Sequence, residues 1–212
     1  MRKIQKMCAA LLAGVMTVGT FAPSVFADEA PAELTDEQVI NVRTTAFGNN
    51  YDVQDMGWRW MMAACYEGLY RDVADENGDE FILAGAESVD ISDDGTVYTY
   101  HLREDAKWSD GVPVTAHDYE YGWKRLLNPD YAYDYASFIY NVVGAEEYNS
   151  GEGSADDVMA VAVDDYTFEV TLKVADPTFE SKLVATPLYP TREDLAEAAG
   201  DNWGKDWTTL RI

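Results

Sequence analysis

The chain has 212 residues, 47% of them hydrophobic and 25% charged, with 39 Asp+Glu set against 15 Lys+Arg for a net charge of -24. That composition is typical of a folded globular protein; it excludes a wholly disordered chain, a collagen and a coiled coil, and the length suits one domain, or little more, with a core of its own. The negative charge argues against nucleic acid or an anionic membrane surface as partner, since both call for a basic patch.

Arg2, Lys3 and Lys6 precede a largely apolar, uncharged stretch from Ala9 to Phe21, and Val25-Phe26-Ala27 fits a small-x-small cleavage pattern. Residues 1–27 are therefore predicted to be a secretory signal peptide cleaved after Ala27, the apolar run being short of the roughly 20 residues of a membrane span. The acidic, Pro/Ala-containing stretch 28–38 reads as a flexible leader, and 39–212 as the folded part. Cys8 lies in the signal, so Cys65 is alone beyond it and no intrachain disulfide is expected. The helical window Trp60 to Tyr66 predicts a buried Cys65 thiol. Cys8 is too early to take a lipid at the cleavage site, so the expected product is exported to the cell envelope, periplasmic or extracellular, without a lipid anchor.

Val39 to Thr44 alternates like a strand, and Met56 to Tyr66 has apolar residues at helical spacing. Leu69-Tyr70 begins an extended piece and Asn77-Gly78 signals a turn. Val97 to Arg103 alternates, with Tyr98, Tyr100 and Leu102 predicted inward and Thr99, His101 and Arg103 outward; Asp93-Asp94-Gly95 supplies the turn of a hairpin with Ser88 to Ile91. Thr115-Ala116-His117-Asp118 matches a capping box. The helix it opens gathers Tyr119, Gly122, Trp123 and Leu126 on one face and ends at Asn128-Pro129. A second hairpin is predicted from Met159–Val163 and Thr167–Leu172, then a short helix from Thr191 to Ala199 with Thr191 as cap. Helices mixed with antiparallel hairpins give a mixed α/β (α+β) fold.

The chemistry is sparse. His101 and His117 are the only histidines, and nothing in their spacing supports a metal site. No Gly-x-Ser-x-Gly elbow is present. Glu146-Glu147 and Asp164-Asp165 read as solvated surface pairs. Asp75-Glu76-Asn77-Gly78-Asp79 fails the calcium-loop register, because Glu80 and Ala86 stand where glycine and glutamate are needed. No catalytic residue, metal or cofactor is predicted.

The run Val97-Tyr98-Thr99-Tyr100-His101-Leu102-Arg103-Glu104-Asp105-Ala106-Lys107-Trp108-Ser109-Asp110-Gly111-Val112-Pro113-Val114-Thr115-Ala116-His117-Asp118 resembles the signature segment of the extracellular solute-binding proteins, family 5, the oligopeptide receptors of ABC importers. Tyr66-Glu67-Gly68-Leu69-Tyr70, Ala84 to Ser88, Tyr121 to Pro129, Val163 to Leu172 and Pro177-Thr178-Phe179 continue the resemblance in order, over roughly residues 39 to 209. It implies a periplasmic-binding-protein-like first lobe plus the family's extra domain. Family members are much longer, and the expectation is a partial domain without the second lobe, binding peptide weakly or not at all by itself.

The resemblance further implies a short-peptide ligand held in extended form, no enzymatic activity, and partnership of a monomer with an importer's membrane permease and ATPase subunits. By position, Gln54 and Met56 fall in the family's ligand-facing loop, with Trp58 beside it, and Tyr140 resembles a cleft aromatic. The alternative readings are an exported acidic hydrolase, a calcium-dependent surface module, and a family 5 receptor for a dipeptide, sugar or nickel chelate.

Overall fold

Six strands, five α-helices and four short 3-10 helices make up the regular structure in a computed structural model that describes residues 50–55, 59–73 and 81–205, with 59–61 in backbone only. The first helix, α1 (Arg59–Cys65), is built from Trp, Met and Ala without a glycine or proline. Met62 and Tyr66, one turn apart, are buried, while Cys65 falls at the edge of their stripe and is exposed, not buried as expected. The predicted strand at 39–44 and the turn at Asn77-Gly78 lie outside the described residues.

Strand β1 (Tyr70–Asp72) pairs antiparallel with β2 (Phe81–Leu83). The main sheet comprises β3 (Ala86–Ile91), β4 (Val97–Leu102), β5 (Ala160–Asp164) and β6 (Thr167–Thr171), antiparallel in the order β3-β4-β6-β5. Both predicted hairpins are present. The first turns on Asp94, whose carboxylate accepts hydrogen bonds from the Ser92 hydroxyl and from both the amide and hydroxyl of Thr96, while Gly95 takes a φ of 70°. Register places Tyr98 opposite Val170 and Tyr100 opposite Phe168, so strict alternation puts one row inward: Tyr98, Tyr100, Leu102, Phe168 and Val170 are all buried.

Helix α2 (Ala116–Leu127) covers that row. Asp118 at its third position accepts from the Thr115 amide at 2.8 Å and from the Trp108 indole at 3.3 Å, which ties the preceding loop to the helix start. Trp123 is fully buried and stands edge-on to Phe168, ring centroids 5.1 Å apart; its indole donates to the Leu188 carbonyl at 2.9 Å. Glu120, on the same helix, pairs with Lys124 at 2.6 Å and also accepts the outward amide of Ala162 at 2.9 Å. That amide belongs to the edge strand β5, so a helix carboxylate occupies a donor that would otherwise invite another strand.

Past α2, a one-turn helix (Ala136–Ile139) leads to α3 (Ala145–Asn149) through Gly144, whose φ of 79° and close approach to the Asp157 carbonyl leave no room for a side chain. Helix α4 (Phe179–Lys182) and helix α5 (Glu193–Ala199) follow. The start of α5 corrects an expectation: its cap is Arg192, not Thr191. Arg192 forms ion pairs with Asp194 at 2.6 Å and with Asp110 at 3.2 Å, while Thr191 is buried and serves a different purpose.

Candidate functional site

Residues 50–55 carry no regular structure, so their backbone must be satisfied by side chains. Asp52 does this: its carboxylate accepts the Gln54 amide at 3.1 Å and its carbonyl accepts the Asp55 amide at 3.1 Å. Asn50 accepts the Asp52 amide at 3.0 Å, and the Tyr51 amide donates to the Gly204 carbonyl at 2.6 Å. Gly204 itself has a φ of 74° and lies so close to Asn50 and Asp52 that a side chain there would collide with both.

The Asp52 carboxylate is buried, so it needs a cation. Arg125, from the buried face of α2, supplies it at 2.8 Å and also donates to the Gln54 side-chain carbonyl at 3.0 Å. Tyr133 adds a hydroxyl donor to Asp52 at 2.6 Å. The Arg125 guanidinium lies 4.7 Å from the Tyr131 ring centroid and 5.3 Å from that of Tyr133, a cation–π clamp. Burial opposes the charge on Arg125, but Asp52 outweighs it and holds the guanidinium more strongly protonated than usual. Burial, and secondly Asp52, raise the Tyr133 hydroxyl well above the ordinary phenol range. Removing one partner of such a pair costs about 3–5 kcal/mol, because the other charge is left buried alone.

The clamp creates a cleft of about 380 Å³ between Gln54 and Asp55 on one side and the run Tyr131 to Tyr135 on the other. Tyr131 is 47% exposed. Tyr135 is edge-on to Phe138 at 5.2 Å. Ala132 sits at φ 50°, a left-handed conformation unusual for a residue with a side chain. Asp134 has no hydrogen-bond or ion-pair partner among the described residues. Aromatic faces beside carboxylate acceptors suit a polar, extended ligand that stacks and donates hydrogen bonds.

The residues singled out from the sequence fare unevenly. Gln54 borders the cleft, but it is fully buried, and its amide nitrogen donates to Thr191 at 2.9 Å while its carbonyl takes Arg125. A ligand-facing side chain was the expectation; the amide is instead spent on holding the loop, and Thr191 is its partner rather than a helix cap. Tyr140 does not line the cleft. Its ring packs against the main core and its hydroxyl donates to Asn149 of α3. Met56 and Trp58 lie outside the described residues. Tyr131, Tyr133 and Tyr135 were not foreseen from the sequence, although a Tyr-x-Tyr-x-Tyr run just past the helix-ending Asn128-Pro129 is an alternating pattern outside any strand. Nor was Arg125, whose position on the buried face of α2 demands a buried acid.

Among the described residues no helix is long and apolar enough to cross a membrane, and no group of three metal-binding side chains occurs.

Residues 80–210 match the family described as bacterial extracellular solute-binding proteins, family 5. The periplasmic oligopeptide-binding protein OppA of Salmonella typhimurium is 33% identical over 201 residues, 91% of this chain and 36% of that protein. The dipeptide-binding protein DppE of Bacillus subtilis is 36% identical over 176 residues, 81% of this chain and 32% of that protein. Among solved structures, Listeria monocytogenes OppA bound to peptide superposes with a TM-score of 0.76 at 33% identity, covering 84% of this chain and 35% of that one. The chain thus spans about a third of the length of these relatives. With the signature hairpin, the helix it caps and the later hairpin all in the places the match covers, the chain belongs to the bacterial extracellular solute-binding proteins, family 5.

Proposed function

We propose that this chain carries one wall of a short-peptide receptor that delivers its ligand to an ABC importer. The observation that carries this reading is the cleft between Asp55 and Tyr131 to Tyr135, rigidly backed by the Arg125–Asp52 pair. Support comes from relatives named as oligopeptide- and dipeptide-binding proteins and from the likeness to a structure of one bound to peptide. Tyr135 and Tyr131 stack on the peptide, Asp134 and Asp55 accept from its amide groups, and Gln54 and Arg125 hold the loop without touching it. The protein acts as a monomeric receptor rather than an enzyme, is exported with cleavage after Ala27, and meets the importer's permease and, through it, the ATPase.

A single wall leaves most of a peptide's surface in water, so the 212-residue chain binds short peptides weakly, at about millimolar affinity. NMR titration with a tripeptide is the test. Amide signals of 131–135 shift on titration, and Tyr135→Ala weakens the response about tenfold without altering the rest of the spectrum. Shifts confined to other regions, or none at all, overturn the site. Micromolar affinity in the unaltered chain overturns the one-wall reading.

A further inference from the structure

Away from the cleft, a second concavity of about 590 Å³ runs between the C-terminal end of α1 and the ends of β2 and β4. That volume is in the range of sites for small organic ligands. The two concavities share no lining residue. Its apolar lining comes from Ala63 and Ala64 on the helix side and from Leu83, Ala84, Leu102 and Ala106 opposite. Tyr66 and Trp108 close the inner end as an edge-to-face pair with centroids 6.0 Å apart. Alanine and leucine side chains along the walls and rings at the end offer an apolar strip beside a polar rim, a lining that suits an amphipathic body.

The charge of its rim runs against the rest of the molecule. In a chain with 39 acids and 15 basic residues, Arg71, Arg103 and Lys107 all line this groove, against the one carboxylate of Glu67. Glu67 is taken by Arg71, and Arg103 is taken by Asp105 at 2.8 Å. The exposed Lys107 ammonium has no hydrogen-bond or ion-pair partner among the described residues. A positive charge left unpaired beside an apolar strip, on a protein whose net charge elsewhere repels anions, selects for an anion with an apolar tail. A cation gains nothing there, and a neutral apolar molecule leaves Lys107 unused.

We infer that the groove between α1 and the ends of β2 and β4 binds a small amphipathic carboxylate, its tail on the apolar strip and its head on Lys107. Arg71 and Arg103, each held in its own ion pair, flank the head.

Cys65 provides the readout, because its exposed thiol lines the same groove. The protein is alkylated with iodoacetamide in the presence of dodecanoate below its micelle-forming concentration, and mass spectrometry follows the Cys65 adduct with added glutathione as the internal reference. Dodecanoate slows Cys65 alkylation severalfold relative to glutathione. Lys107→Glu, an exposed change that leaves the core intact, raises the half-protecting concentration about tenfold, the loss expected for a charge-assisted contact. Ala63→Trp, also exposed, covers the strip and abolishes protection. Equal protection by dodecanol or dodecyltrimethylammonium overturns the inference, since charge then plays no part. So does protection by a tripeptide but not by dodecanoate, which assigns the groove to peptide, and so does calorimetric binding of dodecanoate that leaves Cys65 reactive and ignores Lys107→Glu.

Discussion

The sheet-and-helix core and the Asp52–Arg125 cluster are both buried, yet they are held by opposite physics. The core is a stack of rings and branched chains, Tyr98, Tyr100, Phe168 and Val170 beneath Trp123, stabilised by area removed from water and tolerant of small shifts. The cluster is polar: Asp52, Gln54, Arg125 and Thr191 are each buried, and each has a specified partner at 3.1 Å or less. Its gain over solvated groups is small, but the loss of any member is large, because a buried polar group without a partner has nowhere to go. Apolar burial makes the fold, and the polar cluster fixes where one loop sits.

Cutting into the core has the largest effect. Trp123→Ala removes a fully buried ring and its indole bond to Leu188, and lowers stability by about 3–5 kcal/mol in chemical denaturation. Arg125→Met costs about 3 kcal/mol by leaving Asp52 unpaired. Adding Asp52→Leu to it recovers part of that loss while the loop 50–55 gains hydrogen-exchange rate; if the double variant is less stable than Arg125→Met alone, the contrast between the two regions fails. Glu120→Ala costs about 1–2 kcal/mol and, by freeing the Ala162 amide, promotes association detectable by light scattering. The smallest effect is one of acidity. Hydrogen bonds from Lys182 and Thr178 lower the Asp176 carboxyl from 3.8 to about 2. A depressed carboxyl gives stability that is present above its unfolded value and lost as pH falls through the folded one. Stability therefore declines between about pH 4 and pH 2, and Asp176→Asn removes a share of that decline below about 1 kcal/mol, because Lys182 is partly exposed.

Elements whose cause is local were legible in the sequence. The alternation of Val97 to Leu102 fixes which side chains face inward, and Thr115 with Asp118 marks the start of α2. Elements whose cause is distant were not. Thr191 has the type and spacing of a helix cap, but a buried amide 137 positions away in sequence claims its hydroxyl. Gln54 and Tyr140 have residue types suited to ligand contact, yet each finds a partner inside the protein first. Cys65 matches a helical stripe on paper, but the stripe is set by Met62 and Tyr66 and is narrower than its composition suggests. A buried ion pair is invisible along the chain because Arg125 shows only that an acid is needed, and 39 acids are on offer.

The hydrogen bond from Tyr51 to Gly204 joins the two ends of the stretch that contains both hairpins, α2 and the cleft. The chain therefore comes into this unit and goes out of it at one place. A body with that connectivity behaves like a bead on a single hook, which can be set into a longer polypeptide without stretching either neighbour. It also makes the unit a candidate for circular permutation: a short glycine linker across 50 and 205, with new ends opened in the exposed turn at Gly151, preserves every contact of the core and cleft.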